Sequence, residues 1–210
     1  MPRVRKISCN PKDKNYYIVD TSFFANKYIP LTCAPNAKDR ERIERCQDWW
    51  KEIDKQLDKR KARVYIPDIC IAETFKTLAN KYYREKWFKT PRALNIARRR
   101  LTKDVETNAK TLMAYKRIIR YHDISTSRDI IIAVDRFYEM FMKHGKNVSI
   151  TDLIILATAK YLMDFYDIPK TNLHIITLDN NLYQGLKLIN ELPNGYNPTL
   201  PSDILSKIFK

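Results

Sequence analysis

The stretch YYIVDTSFFANKY, residues 16–28, changes from a strand-like run to a helix-like run at one acid, Asp20. Aromatic and β-branched residues fill positions 16–19, which is the composition of a buried strand. The Asp-Thr-Ser that follows is typical of a helix start, where a side-chain oxygen accepts a hydrogen bond from a backbone N–H. Asp20 is therefore either a helix cap or a functional carboxylate delivered by a strand.

The composition predicts a soluble, helix-rich globular protein. The 210 residues are 44% hydrophobic and 30% charged, with only 3 glycines, which argues against a disordered chain. The length suits one domain with a full core, so we predict a single domain over residues 1–210. No apolar run approaches the roughly 20 residues of a membrane span, and the N-terminus lacks the apolar region of a signal peptide. We expect a cytoplasmic protein that does not bind membranes.

The cysteines and histidines do not indicate a metal or nucleophilic site. Four cysteines and three histidines are scattered without a C-x-x-C pair or a ligand-like spacing. A zinc site, a redox motif and a nucleophile–histidine mechanism therefore have no support. Reduced cysteines in the core are the simpler interpretation.

The positive charge is concentrated in one segment. The chain has a formal net charge of +15, and residues 76–120 contain 14 Lys and Arg but only 3 acids. Residues 38–63 mix 10 basic and 7 acidic residues, as a merely solvated face does. We therefore favour a polyanionic partner, nucleic acid, over a solvated basic helix. The predicted nucleic-acid contacts are Lys81, Arg84, Lys86, Lys89, Arg92, Arg98, Arg99 and Arg100.

Aromatic residues are interleaved with these cations. Tyr82, Tyr83, Trp87 and Phe88 lie among the basic side chains. Two interpretations stay open at this point. The aromatic rings stack on unpaired bases, or Tyr82 and Trp87 pack into the core and only the cations face solvent.

Apolar periodicity and helix-start signals predict the order of the elements. Short apolar strands alternate with helices, which predicts an α/β fold with a parallel sheet covered on both faces. The predicted strands cover residues 16–19, 63–66, 118–122 and 173–178, and the predicted helices cover 38–59, 68–83, 90–114, 127–143, 149–161 and 180–192, with a short helix from Thr21.

Four acids lie just after a predicted strand or near the start of a predicted helix. Asp20 and Asp179 directly follow strands, whereas Glu73 and Asp152 lie in the first turns of helices. In an open parallel sheet these positions meet at the carboxyl edge. Four clustered carboxylates need a compensating cation, and oxygen ligands suit Mg²⁺ or Mn²⁺. Such a site can make water nucleophilic towards a phosphodiester.

Two of these acids also have a structural explanation. Asp20 is placed to cap the helix that begins at Thr21. Asp152 is the last residue of Ser149-x-x-Asp152, a capping-box arrangement. Glu73 is harder to explain in this way, because its helical neighbours are mostly apolar and an unpaired acid is costly there.

Four segments resemble the four acidic motifs of PIN-domain (PilT N-terminus) nucleases, in the same order along the chain. They are IVDTSFF at 18–24, IAETFKTL at 71–78, SITDLIILATAKY at 149–161 and IITLDNNLY at 175–183. The resemblance implies a PIN-like three-layer α/β/α fold with a short central parallel sheet and additional helices. Compared with the VapC-type toxins of the family the chain is longer, with helical elaborations around 31–62 and 84–116.

The resemblance also implies a set of site residues. Asp20, Glu73, Asp152 and Asp179, called here the acidic quartet, would be both the catalytic residues and the metal ligands. Thr21, Ser22 and Thr177 would hydrogen-bond to these carboxylates and orient them.

The implied activity is a Mg²⁺- or Mn²⁺-dependent endoribonuclease. It would hydrolyse single-stranded RNA with a metal-activated water and leave a 5′-phosphate. The implied partners are RNA, an antitoxin-like inhibitor protein and a second copy of the chain. Two alternatives remain open: a non-cleaving PIN-like RNA-binding or scaffold protein, and a PIN-type nuclease that acts on structured DNA.

Overall fold

The computed structural model describes residues 14–114, 119–203 and 208–209. The basic lead-in at 1–13, including Cys9, and the first residue of the predicted 118–122 strand lie outside the described residues. No helix in the described part of the chain is long and apolar enough to cross a membrane.

The centre of the fold is a five-stranded sheet in which every pairing is parallel, with the order β3-β2-β1-β4-β5. This confirms the predicted α/β class with a parallel sheet. In β1, Tyr16 to Val19 are all buried, so both faces of the sheet are covered. The strands are β1 (Asn15–Val19), β2 (Ala62–Pro67), β3 (Tyr121–Ile124), β4 (Leu173–Ile176) and β5 (Asn194–Tyr196).

Eight α-helices flank the sheet in the described part of the chain. Helix α7 packs against β1, β2 and β4 and runs beside α6, while α2 packs against β2 and α1. They are α1 (Thr21–Asn26), α2 (Ala37–Asp58), α3 (Asp68–Tyr83), α4 (Pro91–Val105), α5 (Ala109–Ala114), α6 (Arg128–Lys143), α7 (Ile150–Tyr166) and α8 (Asn180–Leu188).

The helix predicted for 90–114 is two helices. Thr90 caps α4 as expected, but α4 ends at Val105 because Glu106 has an extended backbone. The Asn108 carboxamide then accepts hydrogen bonds from the backbone N–H groups of Lys110 and Thr111, at 3.0 and 3.2 Å. A side chain that competes for backbone donors in this way starts a new helix.

Helix α3 covers residues 68–83 as predicted, but its N-cap is not the expected one. The sequence Pro67-Asp68 predicts Asp68 as the N-cap, whereas Pro67 occupies that position and Asp68 is the first helical residue. The Asp68 carboxylate accepts hydrogen bonds from the Ile69 N–H at 2.8 Å and from the Thr126 hydroxyl at 2.7 Å. Asp68 therefore links the first turn of α3 to the loop after β3.

The buried faces of two helices differ in part from the faces that the apolar spacing predicts. The predicted faces are Ile71, Phe75, Leu78, Ala79 and Tyr82 in α3 and Ile150, Leu153, Ile154, Ala157 and Tyr161 in α7. In α3 the fully buried stripe is Cys70, Thr74 and Leu78, whereas the expected Ile71 and Phe75 are only partly buried. Helix α7 is buried on most of its surface because it lies between the sheet and α6. Its first residue, Ile150, which was predicted to face the core, is 61% exposed.

Two late elements have different limits. Strand β4 ends at Ile176, since the Leu178 N–H bonds to a side chain, the Asp20 carboxylate. Helix α8 ends at Leu188, four residues before the predicted end. Strand β5 follows and pairs with β4, Gly195 lying opposite Ile175; it was not predicted.

Candidate active site

The acidic quartet lines a single pocket at the carboxyl edge of the sheet. The pocket has a volume of about 220 Å³. Strands β1 and β4 deliver Asp20 and Asp179, and the N-terminal parts of α3 and α7 deliver Glu73 and Asp152. The remaining lining residues are Thr21, Ser22, Ser149, Thr151 and Ile155. We call this the acidic pocket.

Asp20 is both a helix cap and a wall of the acidic pocket. Its Oδ1 accepts a hydrogen bond from the Phe23 N–H at 2.5 Å, which starts α1. Its Oδ2 accepts from the Thr177 hydroxyl at 2.7 Å and from the Leu178 N–H at 2.9 Å. Burial raises the pKa of Asp20 to about 6, although these three hydrogen bonds lower it and the Asp152 charge raises it further. The ionised carboxylate is thus well oriented but poorly solvated.

Glu73 is held by two hydroxyl groups from different elements. Its Oε2 accepts from Thr21 at 2.8 Å, and its Oε1 accepts from Thr151 at 2.9 Å. Thr21 begins α1 and Thr151 lies in the first turn of α7. The half-buried glutamate, which lacked a structural explanation in the sequence, therefore joins three helices.

Asp152 completes the predicted capping box. Its Oδ2 accepts from the Ser149 hydroxyl at 2.7 Å and from the Ser149 N–H at 3.0 Å. Burial raises the pKa of Asp152, the Ser149 hydrogen bonds oppose the rise, and the charges of Asp179 and Glu73 add to it. The acids of the pocket therefore repel one another.

Asp179 caps α8 by accepting a hydrogen bond from the Leu182 N–H at 2.7 Å. Its own N–H donates to the Thr177 hydroxyl at 2.9 Å. Thr177, which is fully buried, thereby links two acids of the quartet, because the same hydroxyl donates to Asp20.

The three predicted hydroxyl residues have different contacts. Thr177 contacts Asp20, and Thr21 contacts Glu73. Ser22 lines the acidic pocket, but its hydrogen bond in the described part of the chain is made by its carbonyl, which accepts from Asn26. The contact of Thr151 with Glu73 was not predicted. No local sequence pattern predicts this hydrogen bond, since the two residues are 78 positions apart.

The donor set of the acidic pocket fits a hard divalent cation. In the described part of the chain, no lysine or arginine forms an ion pair with the acidic quartet. Carboxylate oxygens without a cation of their own suit Mg²⁺ or Mn²⁺. The side chains are not yet arranged as a complete metal site, because no group of three or more His, Cys, Asp or Glu among the described residues is close enough to hold an ion.

The aromatic residues of the basic segment differ in their burial. Trp87 and Phe88 are buried in the core, while Tyr83 is 62% exposed. Lys81 lies over the Trp87 ring and pairs with Glu85 at 2.6 Å, so its charge is partly neutralised. Arg84, Lys86, Lys89, Arg92, Arg99 and Arg100 are exposed and Arg98 is partly exposed.

Two solved structures are similar to this chain. No family model matches the sequence, and the search of curated proteins found no relative. The crystal structure of FitAcB from Neisseria gonorrhoeae is similar, with a TM-score of 0.51 and 20% identity over 87% of this chain and 97% of that chain. The structure of FitAB bound to an IR36 DNA fragment matches with a TM-score of 0.51 and 18% identity, over 87% and 94% of the two chains.

The FitAB complexes contain PIN-domain nucleases. The chain has a PIN-like fold. At identities of 20% and 18% the likeness concerns the fold alone. It confirms the predicted PIN-like three-layer α/β/α architecture, in which the acidic pocket lies at the carboxyl edge of the sheet.

Proposed function

We propose that this PIN-like protein is a metal-dependent endoribonuclease that hydrolyses single-stranded RNA at the acidic pocket. The proposal rests on one observation. The four acids of the quartet, which come from four separate parts of the sequence, line one pocket and have no ion-pair partner among the described residues. Such a site is complete only with an added cation.

Mg²⁺ or Mn²⁺ would be held by Asp20, Glu73, Asp152 and Asp179. When bound, the ion supplies positive charge for the scissile phosphate and lowers the pKa of water. The chain's own groups fix the carboxylates beforehand. Thr177 and the Leu178 N–H hold Asp20, and Thr21 and Thr151 hold Glu73. Such supporting hydrogen bonds keep metal ligands in position.

The exposed cations on and before α4 support a nucleic-acid substrate. Arg84, Lys86 and Lys89 are exposed in the connection from α3 to α4, and Arg92 is exposed in the first turn of α4. Phosphate neutralisation by these residues would make binding weaken steeply as salt rises. Trp87 and Phe88 are buried and cannot stack on bases, and we assign the exposed cations of this segment to the phosphate backbone.

The central experiment uses two variants of the quartet and one matched control. Asp20→Asn and Asp152→Asn each remove a charge from the acidic pocket, and Asp152→Asn keeps an oxygen for the Ser149 bonds. Asp164→Asn removes an exposed acid from the far end of α7. Labelled single-stranded RNA, DNA of the same sequence and a structured DNA are incubated with Mn²⁺ or with EDTA.

We expect Mn²⁺-dependent cleavage of the RNA, reduced about 100-fold or more in both quartet variants and unchanged in Asp164→Asn. Equal cleavage by wild type and by both quartet variants would show that the site is wrongly assigned. Faster cleavage of DNA would move the proposal to the DNA nuclease, since a preference for RNA requires contacts with 2′-hydroxyl groups.

A non-cleaving RNA-binding protein is the second candidate. One observation favours it: the described residues contain no group of three or more His, Cys, Asp or Glu side chains that is close enough to hold an ion. Calorimetry separates the two candidates. RNA binding without any heat of Mn²⁺ binding at millimolar concentration would favour the scaffold.

We also propose that the protein works in a toxin–antitoxin pair. The support is the similarity to the FitAB complexes, which are of this type. An antitoxin-like protein encoded beside this gene would then co-purify with the chain and inhibit cleavage. Sedimentation of the separate protein would test the expected homodimer.

A further inference from the structure

A second polar cavity adjoins the acidic pocket. It has a volume of about 380 Å³, and its wall includes Ser22, Asn26, Arg42, Thr77, Asn80 and Lys81. We call it the side cavity. Ser22 lines both cavities, and Leu178 in the side cavity directly precedes Asp179 in the acidic pocket. A ligand that extends from the acidic pocket past Ser22 therefore enters the side cavity.

Two polar groups of the side cavity lack a partner. Asn26 is only 5% exposed, and its Nδ2 donates to the Ser22 carbonyl at 2.8 Å. Its Oδ1 is buried without a hydrogen bond in the described part of the chain, and so is Arg42 Nε. A buried acceptor or donor without a partner is destabilising, and most such groups in proteins have a partner from protein, water or ligand.

These groups match the chemistry of a nucleotide. Asn26 Oδ1 lacks a donor and Arg42 Nε lacks an acceptor, and the edge of a nucleobase presents both kinds of group. Thr77 and Asn80 add a hydroxyl and an amide to the same wall. The volume of about 380 Å³ falls within the roughly 300–1,000 Å³ typical of small-molecule sites.

The side cavity differs in charge from the acidic pocket. Its wall includes Arg42 and Lys81, of which Arg42 pairs with Asp39 at 2.7 Å and Lys81 pairs with Glu85 at 2.6 Å. The charged residues that line the acidic pocket next to it are all acids. Lys81 also leads along the chain to Arg84, Lys86 and Lys89, which are exposed. The side cavity therefore lies between the acidic pocket and the basic connection assigned to phosphates.

We propose that the side cavity binds the unpaired nucleotide next to the scissile phosphate and selects its base. This inference rests on the proposed function, because the acidic pocket defines where the scissile phosphate lies. Asn26, Thr77 and Asn80 contact the base, and Arg42 contacts the base or its phosphate. Asn26 has a second task, since it holds the Ser22 carbonyl at the junction of the two cavities.

The test measures binding without cleavage. The full chain in EDTA is titrated into fluorescein-labelled tetranucleotides of A, C, G or U, and the anisotropy gives four dissociation constants. Asn80→Ala is the main variant, because Asn80 is only partly buried and we expect the fold to tolerate its loss. Asn26→Ala is the second variant, checked by thermal melting. Asn95→Ala, an exposed asparagine on α4, is the matched control.

We expect the wild type to prefer one base over the others by about three- to tenfold, the value of one or two hydrogen bonds. Asn80→Ala and any folded Asn26→Ala should lose this preference, and Asn95→Ala should keep it. Equal affinity of the wild type for all four tetranucleotides would overturn the proposal. An unchanged preference in Asn80→Ala would do the same and would mean that the side cavity holds only water.

The binding measurement does not require catalysis. If the wild type does not cut RNA but Asn80→Ala changes the base preference, the proposed function fails, and the position beside a scissile phosphate fails with it, whereas the selection of a base by the side cavity stands. If the wild type cuts RNA and Asn80→Ala cuts at the same bases with the same preference, the function stands and the side cavity does not select the base.

Discussion

Two groups of carboxylates in this molecule differ in how their charge is balanced. In the first, Lys27 pairs with Asp104 at 3.1 Å and lies 3.6 Å from Asp54. Arg120 pairs with Asp54 at 2.9 Å, and the Lys27 ammonium also hydrogen-bonds to Tyr121. We call these residues the Lys27 cluster. It joins α1, α2 and α4 to the sheet and supplies its own cations.

The acidic pocket has the same kind of acid and a different balance. Its four carboxylates receive hydrogen bonds from hydroxyl and N–H groups, but none of the described lysines and arginines lines it. Hydrogen bonds orient a carboxylate without cancelling its charge. The Lys27 cluster is therefore a structural element with balanced charges, whereas the acids of the acidic pocket have no lysine or arginine partner among the described residues.

Removing the cation from the Lys27 cluster should give the largest effect. In Lys27→Met, Asp54 and Asp104 remain partly buried and Asp104 loses its ion-pair partner. We expect the free energy of unfolding to fall by about 3 kcal/mol or more, measured by urea denaturation.

Lys51→Met is the matched control for that experiment. Lys51 pairs with Asp48 at 2.7 Å on the exposed side of α2, where solvent screens the two charges, so we expect the free energy of unfolding of this variant to stay close to that of the wild type. If the two variants are equally stable, the Lys27 cluster is not the buried structural element described above.

A third buried group, His174, has neither a cation nor an anion as partner and gives a reference for burial alone. Burial lowers the pKa of His174 from 6.5 to about 4. Between these pH values the unfolded chain binds more protons, so stability falls as the pH falls from 6.5 to 4. The full loss is about 3 kcal/mol.

The variant His174→Gln isolates this contribution. Urea denaturation at a series of pH values should give a wild-type curve that drops more steeply below pH 6.5 than that of the variant. The protonation of Asp20 acts in the opposite direction in both proteins and cancels in the difference. Parallel curves would contradict the assignment to His174.

Adding metal should stabilise the protein through the acidic pocket only. At a Mn²⁺ concentration 100 times the dissociation constant, we expect a gain of about 2.7 kcal/mol in the free energy of unfolding. Asp152→Asn should abolish most of this gain, while Asp54→Asn in the Lys27 cluster should keep it. Thermal melts with and without Mn²⁺ measure both, and an equal gain in the two variants would place the ion elsewhere.

The smallest effect should have the opposite sign from that of Lys27→Met. Without metal, Asp152→Asn removes one charge from a group of mutually repelling acids and keeps an acceptor for Ser149. We expect stability to be unchanged or to rise by about 1 kcal/mol. A fall of several kcal/mol in metal-free buffer would mean that a partner already balances the charge of Asp152.

Much of the acidic pocket was predictable because its acids follow local rules. Asp20, Asp152 and Asp179 each begin a helix, and helix starts are encoded within four residues. These three acids therefore have two roles at once. Each accepts a hydrogen bond from a backbone N–H at the start of a helix, and each lines the acidic pocket.

The parts that were not predictable depend on contacts between distant residues. The bond from Thr151 to Glu73 crosses between helices, and the buried faces of α3 and α7 follow from what each helix packs against. Strand β5 is three residues, Asn-Gly-Tyr, that resemble a turn in isolation and become a strand by pairing with β4. The burial of Trp87 likewise depends on the tertiary fold, since its sequence neighbours are polar.

The sheet order has a consequence for protein synthesis. Strand β1 lies between β2 and β4, and the groups that hold Asp20 come from Thr177 and Leu178, late in the chain. During synthesis, Asp20, Glu73 and Asp152 leave the ribosome before β4 does. Until β4 has emerged, the chain lacks the strand that aligns these acids with Asp179. Because β4 and the residues that hold Asp20 are synthesised late, the proposed cleavage of RNA would begin only when translation is nearly complete.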